Sequence, residues 1–119
     1  MKNTGFIRLL KASHYSWKGL RHAFKNEAAF RQEVLASVVL IPLAFWLNVT
    51  SVERILLVMA VLLVLIVELL NSGLEAVVDR IGSDFHPLAG AAKDVGSAAV
   101  FLTLILAVFV WGSILLGIL

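Results

Sequence analysis

The stretch Val67–Arg80, VELLNSGLEAVVDR, ends a long apolar run and is far more polar than the residues before it. If the run is helical, Glu68 and Glu75 lie on one face, seven residues and about 10 Å apart along the helix axis. Three further polar residues extend that face. We call it the polar stripe, and it consists of Glu68, Asn71, Ser72, Glu75 and Asp79. Charged groups beside an apolar run indicate a helix that passes from a membrane interior into water.

The composition predicts a membrane protein. Of the 119 residues, 61% are hydrophobic, and the mean hydropathy is +0.97. A soluble domain of this size cannot bury so much apolar surface, since about half apolar residues is usual. The length favours one domain, residues 1–119. The absence of cysteine excludes disulfides, thiolate metal sites and a cysteine nucleophile.

Four helical segments are predicted, and they define an all-α membrane protein. Residues 5–25 have an apolar and a basic face, which is typical of a helix lying in the membrane interface. Three transmembrane helices are expected at residues 28–48, 53–81 and 93–118. The second of them is expected to extend beyond the membrane. The third includes a run, from Val95, of 25 residues without a formal charge.

Local signals divide these segments. Pro42 predicts a kink, because proline removes one backbone donor. Thr50 and Glu53 have the spacing of a capping box. A loop is predicted around Gly82, Ser83, Pro87 and Gly90. Small residues favour close helix packing at the start of the last segment, namely Gly96, Ser97, Ala98 and Ala99.

The distribution of positive charge predicts the orientation. Seven of the ten lysines and arginines precede Val34, one lies in the Asn48–Arg54 break and two lie in the Arg80–Lys93 region. The positive-inside rule therefore places the N-terminus and the second loop in the cytoplasm, and the C-terminus outside.

The polar stripe suggests chemistry. A carboxylate in mid-membrane costs about 2.5 kcal/mol or more, so Glu68 is a functional candidate and fits a general base. Structural alternatives remain for each residue. Glu68 could be protonated and only pack, and Glu75 and Asp79 could be solvated at the helix exit and paired with Arg80. Asn71 and Ser72 could only join helices by hydrogen bonds.

Other polar groups are expected at the same membrane level. Glu27, with Asn26, precedes the first span, and Lys93 with Asp94 precedes the last. Ser97 follows Lys93 by one turn. Glu27 and Glu75 could hold a hydrated Mg²⁺, which needs only one or two carboxylates besides phosphate oxygens, and phosphoryl transfer depends mostly on positioning and charge.

Several classes compete at this point. The chain has no GxxxxGK[ST], GxGxxG or HEXXH motif, which excludes a P-loop enzyme or a soluble protein kinase. A proton-coupled transporter would also place a glutamate inside a helix, and a purely structural membrane subunit would tolerate its replacement. The cluster of Glu27, Glu75, Lys93 and Asp94 favours an enzyme over both.

Long motifs resemble the bacterial diacylglycerol kinase family. They are ELLNSGLEAVVDRIG (Glu68–Gly82), HPLAGAAKDVGSAAV (His86–Val100), NEAAFRQE (Asn26–Glu33) and the surface segment Gly5–Phe24. The resemblance implies a lipid kinase of the bacterial inner membrane that uses ATP and Mg²⁺ to convert diacylglycerol to phosphatidate. It also implies a homotrimer with shared active sites. The mechanism we expect is direct in-line transfer, and no nucleic-acid partner is expected.

The resemblance also implies residue roles. Glu68 is expected to be the catalytic base, aided by Asn71 and Lys93, with Glu27 and Glu75 as metal ligands. ATP contacts are expected from Arg8, Ser13, His14, Tyr15, Ser16, Trp17, Glu27, Glu75, Asp84, Phe85, His86, Lys93 and Asp94. Lipid contacts are expected from Arg8, Ala29, Phe30, Arg31, Gln32, Glu33, Trp46, Leu47, Asn48, Val49, Arg54, Glu68 and Ser97.

One alternative lies within the same superfamily. Undecaprenol kinases share the NEAAFRQE-like, ExxN and AKD elements. The VDRIGSDF segment (Val78–Phe85) and the SHYSWKGLR segment (Ser13–Arg21) look more like those of the diacylglycerol branch, which we therefore favour.

Overall fold

The computed structural model describes residues 4–81 and 86–117, which form four helices and no strand. These are α1 (Gly5–Asn26), α2 (Ala28–Trp46), α3 (Ser51–Ile81) and α4 (Pro87–Leu115). The predicted fold class, an all-helical membrane protein with an amphipathic N-terminal helix, is confirmed.

The last three helices are long and apolar enough to cross a membrane. In their most apolar windows only 17% to 28% of residues are buried inside the chain. Exposed apolar surface on this scale requires lipid or another apolar partner. The 31 residues of α3 span about 46 Å, more than the ~30 Å hydrocarbon thickness, so this helix continues beyond the membrane core.

Helix α3 is the centre of the fold, because it packs against each of the other three helices. The main apolar core joins the end of α2, the first half of α3 and the end of α4, and it consists of Ala44, Leu57, Ala60, Val61, Trp111 and Ile114. The buried indole Nε1 of Trp111 donates to the carbonyl oxygen of Leu57 at 3.1 Å. This core lies in the half of the bundle away from the polar stripe.

The turn between α2 and α3 is closed by side chains. The backbone N–H of Thr50 donates to Glu53 Oε1 (2.9 Å), and the N–H of Glu53 donates to Thr50 Oγ1 (3.1 Å). This is the predicted capping box. Arg54 closes the other side by donating to the carbonyl oxygens of Ala44 (3.1 Å) and Leu47 (3.0 Å) at the end of α2.

The junction between α1 and α2 is held by Arg31. Its Nη1 donates to the carbonyl oxygens of Phe24 (2.8 Å) and Lys25 (3.3 Å), in the last turn of α1. Asn26 Nδ2 donates to the carbonyl oxygen of His22 at 2.9 Å. The last turn of α1 is thereby tied to the first turn of α2 across a one-residue break.

One local prediction needs correction, and the predicted close packing at small residues is confirmed only at Gly96. Pro87 and Gly90 belong to α4 rather than to a loop, because Pro87 occupies the first turn and His86 Nδ1 caps the helix by accepting from the N–H of Leu88 at 3.1 Å. Of the four small residues in α4, only Gly96 is buried; Ser97, Ala98 and Ala99 are exposed. Pro42 lies within α2, which continues on both sides of it.

Candidate functional site

Burial falls along the polar stripe from one end to the other. The side of α3 that carries Glu68 is packed, and this residue is only 6% exposed. Asn71, Ser72 and Glu75 are half-buried, and Asp79 is exposed. The stripe therefore connects the interior of the bundle with its surface, as the helical spacing predicts.

A cavity of about 620 Å³ separates α1 from the second half of α3. We call it the α1–α3 cavity. Its lining includes polar residues from the outer part of the stripe, from α1, and Glu27 between α1 and α2. These polar residues are Ser16, His22, Glu27, Ser72, Glu75 and Asp79. Two glutamates distant in sequence, Glu27 and Glu75, thus line the same cavity.

Glu27 reaches the cavity because the chain turns there. Its backbone is extended, its N–H donates to the carbonyl oxygen of Ala23 (2.8 Å), and its carbonyl oxygen accepts from the N–H of Arg31 (3.0 Å). Its side chain makes no capping hydrogen bond to α2. The backbone therefore fixes Glu27 in place while the carboxylate remains available to a ligand.

Glu33 of α2 is a charged neighbour of Glu68. The two carboxyl groups lie close enough to interact electrostatically. Glu33 Oε1 is buried and has no hydrogen-bond partner in the described part of the chain. Placing two carboxyl groups together inside a helical bundle costs free energy. Such a pair is therefore a candidate for a functional role.

Two more buried polar atoms of the stripe lack partners among residues 4–81 and 86–117: Asn71 Oδ1 and Ser72 Oγ. Asn71 packs directly on α4 at Gly96, where an added Cβ would collide with Asn71 Oδ1 and come within 3.1 Å of Leu74 Cδ2. Ser72 lines the α1–α3 cavity. Buried polar atoms are rarely left unpaired, so these two atoms are candidates for binding ordered water or a polar ligand.

A lysine from α4 reaches the outer end of the stripe. Lys93 Nζ lies 2.6 Å from Asp79 Oδ1, and Glu75 adds a second electrostatic attraction. The alternative in which Asp79 pairs with Arg80 is not what the structure shows. Lys93 of α4, Asp79 and Glu75 of α3, and Glu27 at the end of α1 therefore lie around the α1–α3 cavity.

The α1–α3 cavity could accept magnesium with a phosphate. The described residues contain no group of three or more histidine, aspartate or glutamate side chains suited to a metal ion. Magnesium, however, is usually held by one or two carboxylates and completes its octahedron with water and phosphate oxygens. Glu27 and Glu75 provide this donor set, so the site fits Mg²⁺ bound together with a nucleotide.

The remaining residues predicted to contact ATP are spread along the surface. Ser16 lines the α1–α3 cavity, whereas Arg8, Ser13, Tyr15 and Trp17 are exposed along α1. The ring of His14 lies beside that of Tyr15, with centroids 5.8 Å apart. His86 caps α4, and Asp94 is exposed. Asp84 and Phe85 lie outside the described residues.

The residues predicted to contact lipid form two groups. Phe30 and Arg31 line a second cavity of about 690 Å³ between α1 and α2. Glu33 interacts electrostatically with Glu68. Ala29 and Gln32 are exposed beside them, as are Arg8 on α1 and Ser97 on α4. The other group lies at the opposite end of the bundle and comprises Trp46, Leu47, Asn48, Val49 and Arg54. One chain does not bring these two groups together.

The packing suggests roles for three residues that the sequence did not predict. Glu33 was expected only as a lipid contact, Asp79 only as the end of the stripe, and Gly96 only as a small residue. Their partners, Glu68, Lys93 and Asn71, belong to other helices. No spacing within one helix predicts such pairs; the only available signal was that these groups share a membrane level.

The helices and this site define a small integral membrane enzyme. Its polar site extends from the interior of the helical bundle to the bundle surface. The chain belongs to the prokaryotic diacylglycerol kinase family, whose family model matches residues 14–115.

Named relatives are similar over nearly their whole length. Diacylglycerol kinase of Escherichia coli (strain K12) is 58% identical over 108 residues, covering 91% of this chain and 88% of the relative. Diacylglycerol kinase of Haemophilus influenzae is 53% identical over 114 residues, covering 96% and 97%. That of Pseudomonas aeruginosa is 54% identical over 114 residues, covering 96% and 93%. The family resemblance predicted from the motifs is confirmed, and it argues against the transporter and structural-subunit alternatives.

Proposed function

We propose that this chain transfers the γ-phosphoryl group of ATP directly to the free hydroxyl of diacylglycerol at the cytoplasmic membrane surface, giving phosphatidate and ADP. The single observation that carries this proposal is the polar stripe on α3. Its buried carboxylate, Glu68, and its cavity-lining carboxylate, Glu75, lie on one helix face. One end suits a substrate that stays in the bilayer, and the other suits a nucleotide that stays in water.

Glu68 is proposed as the general base. The oxygen of the lipid hydroxyl attacks the γ-phosphorus, the bond to the β-phosphate oxygen breaks, and the hydroxyl proton passes to Glu68. Glu33, which interacts electrostatically with Glu68, is proposed to help orient this carboxylate. The buried unpartnered oxygen of Asn71, one turn further along, is suited to orient the reacting groups.

Glu27 and Glu75 are proposed to hold Mg²⁺ with the ATP phosphates. Bound there, the ion supplies neutralisation of phosphate charge. Lys93 would add positive charge where negative charge develops during transfer. The surface helix α1, with Arg8 and the Ser13–Trp17 segment, is proposed to close over the nucleotide. Asp84–His86 and Asp94 are proposed to contact ATP.

The lipid is proposed to approach along α2 and the α1–α2 cavity. This cavity is lined mainly by apolar groups, with Arg21, Lys25 and Arg31 at its polar edge. An apolar wall with a cationic edge suits a lipid whose product gains a phosphate. The group from Trp46 to Arg54 lies at the other end of the span, so its proposed lipid contacts would involve acyl chains or another protomer.

We further infer a homotrimer in the bacterial inner membrane, with a cytoplasmic N-terminus and active sites shared between protomers. The basic residues before Val34 support the orientation. The small buried fraction of each spanning helix leaves ample apolar surface for neighbouring protomers. Three helices alone enclose little polar interior, which favours shared sites.

The relatives named above all carry the name diacylglycerol kinase, which supports this lipid over undecaprenol. The test is label transfer from γ-labelled ATP to vesicles that contain the protein with either diacylglycerol or undecaprenol. We expect labelled phosphatidate and little labelled undecaprenyl phosphate. Label on neither lipid would overturn the kinase proposal, and label on undecaprenol alone would overturn the choice of substrate.

A further inference from the structure

The ion pair between Asp79 and Lys93 lies at the rim of the proposed nucleotide site, and Asp79 has no role in the proposed transfer. The pair joins α3 to α4 at 2.6 Å, and its side chains remain 64% and 43% exposed. Asp79 also lines the α1–α3 cavity, with Glu75 one turn before it. An ion pair as exposed as this contributes little to stability, so its effect on where the ammonium lies is the more important consequence.

Lysine has a long flexible side chain and a compact charge, so an exposed lysine without a partner samples many positions. Asp79 restricts Lys93 to the cavity rim. An ammonium has three N–H donors, and one acceptor on Asp79 leaves the others for phosphate oxygens. Because Lys93 is already restricted, less of its conformational entropy is lost when the nucleotide binds.

We propose that Asp79 is a positioning residue that holds Lys93 at the α1–α3 cavity, ready for the terminal phosphates of ATP. This inference rests on the proposed function, which gives Lys93 its role at the phosphates. Asp79 itself need not touch the nucleotide. Its carboxylate acts through the direction it imposes on the lysine.

The sign of the effect separates positioning from simple electrostatics. Asp79 is negative and close to the site of an anionic nucleotide, so removal of its charge would by itself strengthen binding of ATP. Loss of positioning has the opposite effect. Asp79→Asn keeps the shape of the side chain and removes the charge, and it therefore tests the two effects against each other.

The experiment measures kcat and KM for Mg-ATP at saturating diacylglycerol. It also measures the affinity for Mg-ATP in vesicles that lack diacylglycerol. Asp79→Asn should raise KM about fivefold or more and weaken affinity to match, with a smaller change in kcat. Asp79→Glu should recover most of the loss. In a Lys93→Met background, Asp79→Asn should add little, because its effect passes through Lys93.

Arg80→Gln is the neighbouring control, since it also changes the net charge by one unit, with the opposite sign, one residue away. It should leave KM close to that of the unmodified enzyme, and thermal unfolding of all variants should coincide. An unchanged or lowered KM in Asp79→Asn would overturn the positioning role while leaving the kinase function intact. Unchanged kinetics in Lys93→Met would instead remove Lys93 from the proposed mechanism, and the role of Asp79 with it.

Discussion

At Gly96 the backbone of α4 lies so close to α3 that a single methyl group would occupy the position of the Asn71 amide. The packing therefore makes the orientation of Asn71 depend on a residue of another helix. The same is true of Glu68, which has Glu33 of α2 beside it. Residues of the polar stripe are aligned by α3 but oriented by the helices packed against α3.

Gly96→Ala should lower kcat roughly tenfold with the fold retained, because overpacking at this contact costs about 1–3 kcal/mol and would be relieved by moving Asn71. The measurement is the steady-state rate of phosphatidate formation. Gly112→Ala is the control, since a Cβ there meets no atom within 4 Å among the described residues. The effect should shrink in an Asn71→Ala background; equal losses in both backgrounds would contradict the proposed contact.

Glu75→Gln should raise the Mg²⁺ concentration needed for half-maximal rate and lower kcat, because one of only two proposed metal ligands loses its charge. A magnesium titration of the transfer rate measures both changes. Glu53→Gln removes the same charge from the opposite end of α3, where the side chain only caps the helix. It should leave the magnesium dependence unchanged, and a Glu75→Gln variant that behaves like it would show that Glu75 binds no metal.

At the scale of elements, the arrangement depends on how the helices are closed and joined. Arg54 closes α2 against α3, and Arg31 closes α1 against α2. Both arginines use guanidinium hydrogen bonds to carbonyl oxygens at helix ends, where the intrahelical partners run out. Arg31 therefore sets where the surface helix leaves the bundle, and with it one wall of the α1–α3 cavity.

Arg31→Ala should loosen the last turn of α1. Hydrogen bonds from a charged donor contribute about 1.5–3 kcal/mol, so amide exchange in residues 20–26 should accelerate on the order of tenfold. Hydrogen–deuterium exchange in lipid nanodiscs measures it. Arg21→Ala removes the same charge from α1 and should leave that exchange unchanged; equal acceleration in both variants would mean that charge, rather than the junction, controls the helix.

The elements were largely predictable because hydrophobic runs and helical spacing act within one segment. The capping box at Thr50 and Glu53 and the face shared by Glu68 and Glu75 follow from short spacings. The start of α4 was not predictable, since proline suits both a loop and the first turn of a helix. Pairs such as Trp111 with Leu57 depend on packing between distant segments, which one sequence does not specify.

At the scale of the whole molecule, the apolar core and the polar site occupy opposite halves of one bundle. The core stabilises the contacts of α3 with α2 and α4, while the polar half keeps unpartnered groups and cavities. The proposed homotrimer makes a prediction for the intact molecule in the bilayer. Native mass spectrometry from nanodiscs should find three chains per particle, and a predominant monomer would contradict the shared-site proposal.

The central claim is that one face of α3 links a lipid hydroxyl to a nucleotide through Glu68. The most direct test is Glu68→Gln, assayed for transfer from γ-labelled ATP to diacylglycerol alongside equilibrium binding of Mg-ATP. Loss of a general base should reduce transfer by about 10²–10⁴-fold, with nucleotide affinity unchanged because Glu75 and Glu27 remain. Transfer at a near-normal rate would contradict the account.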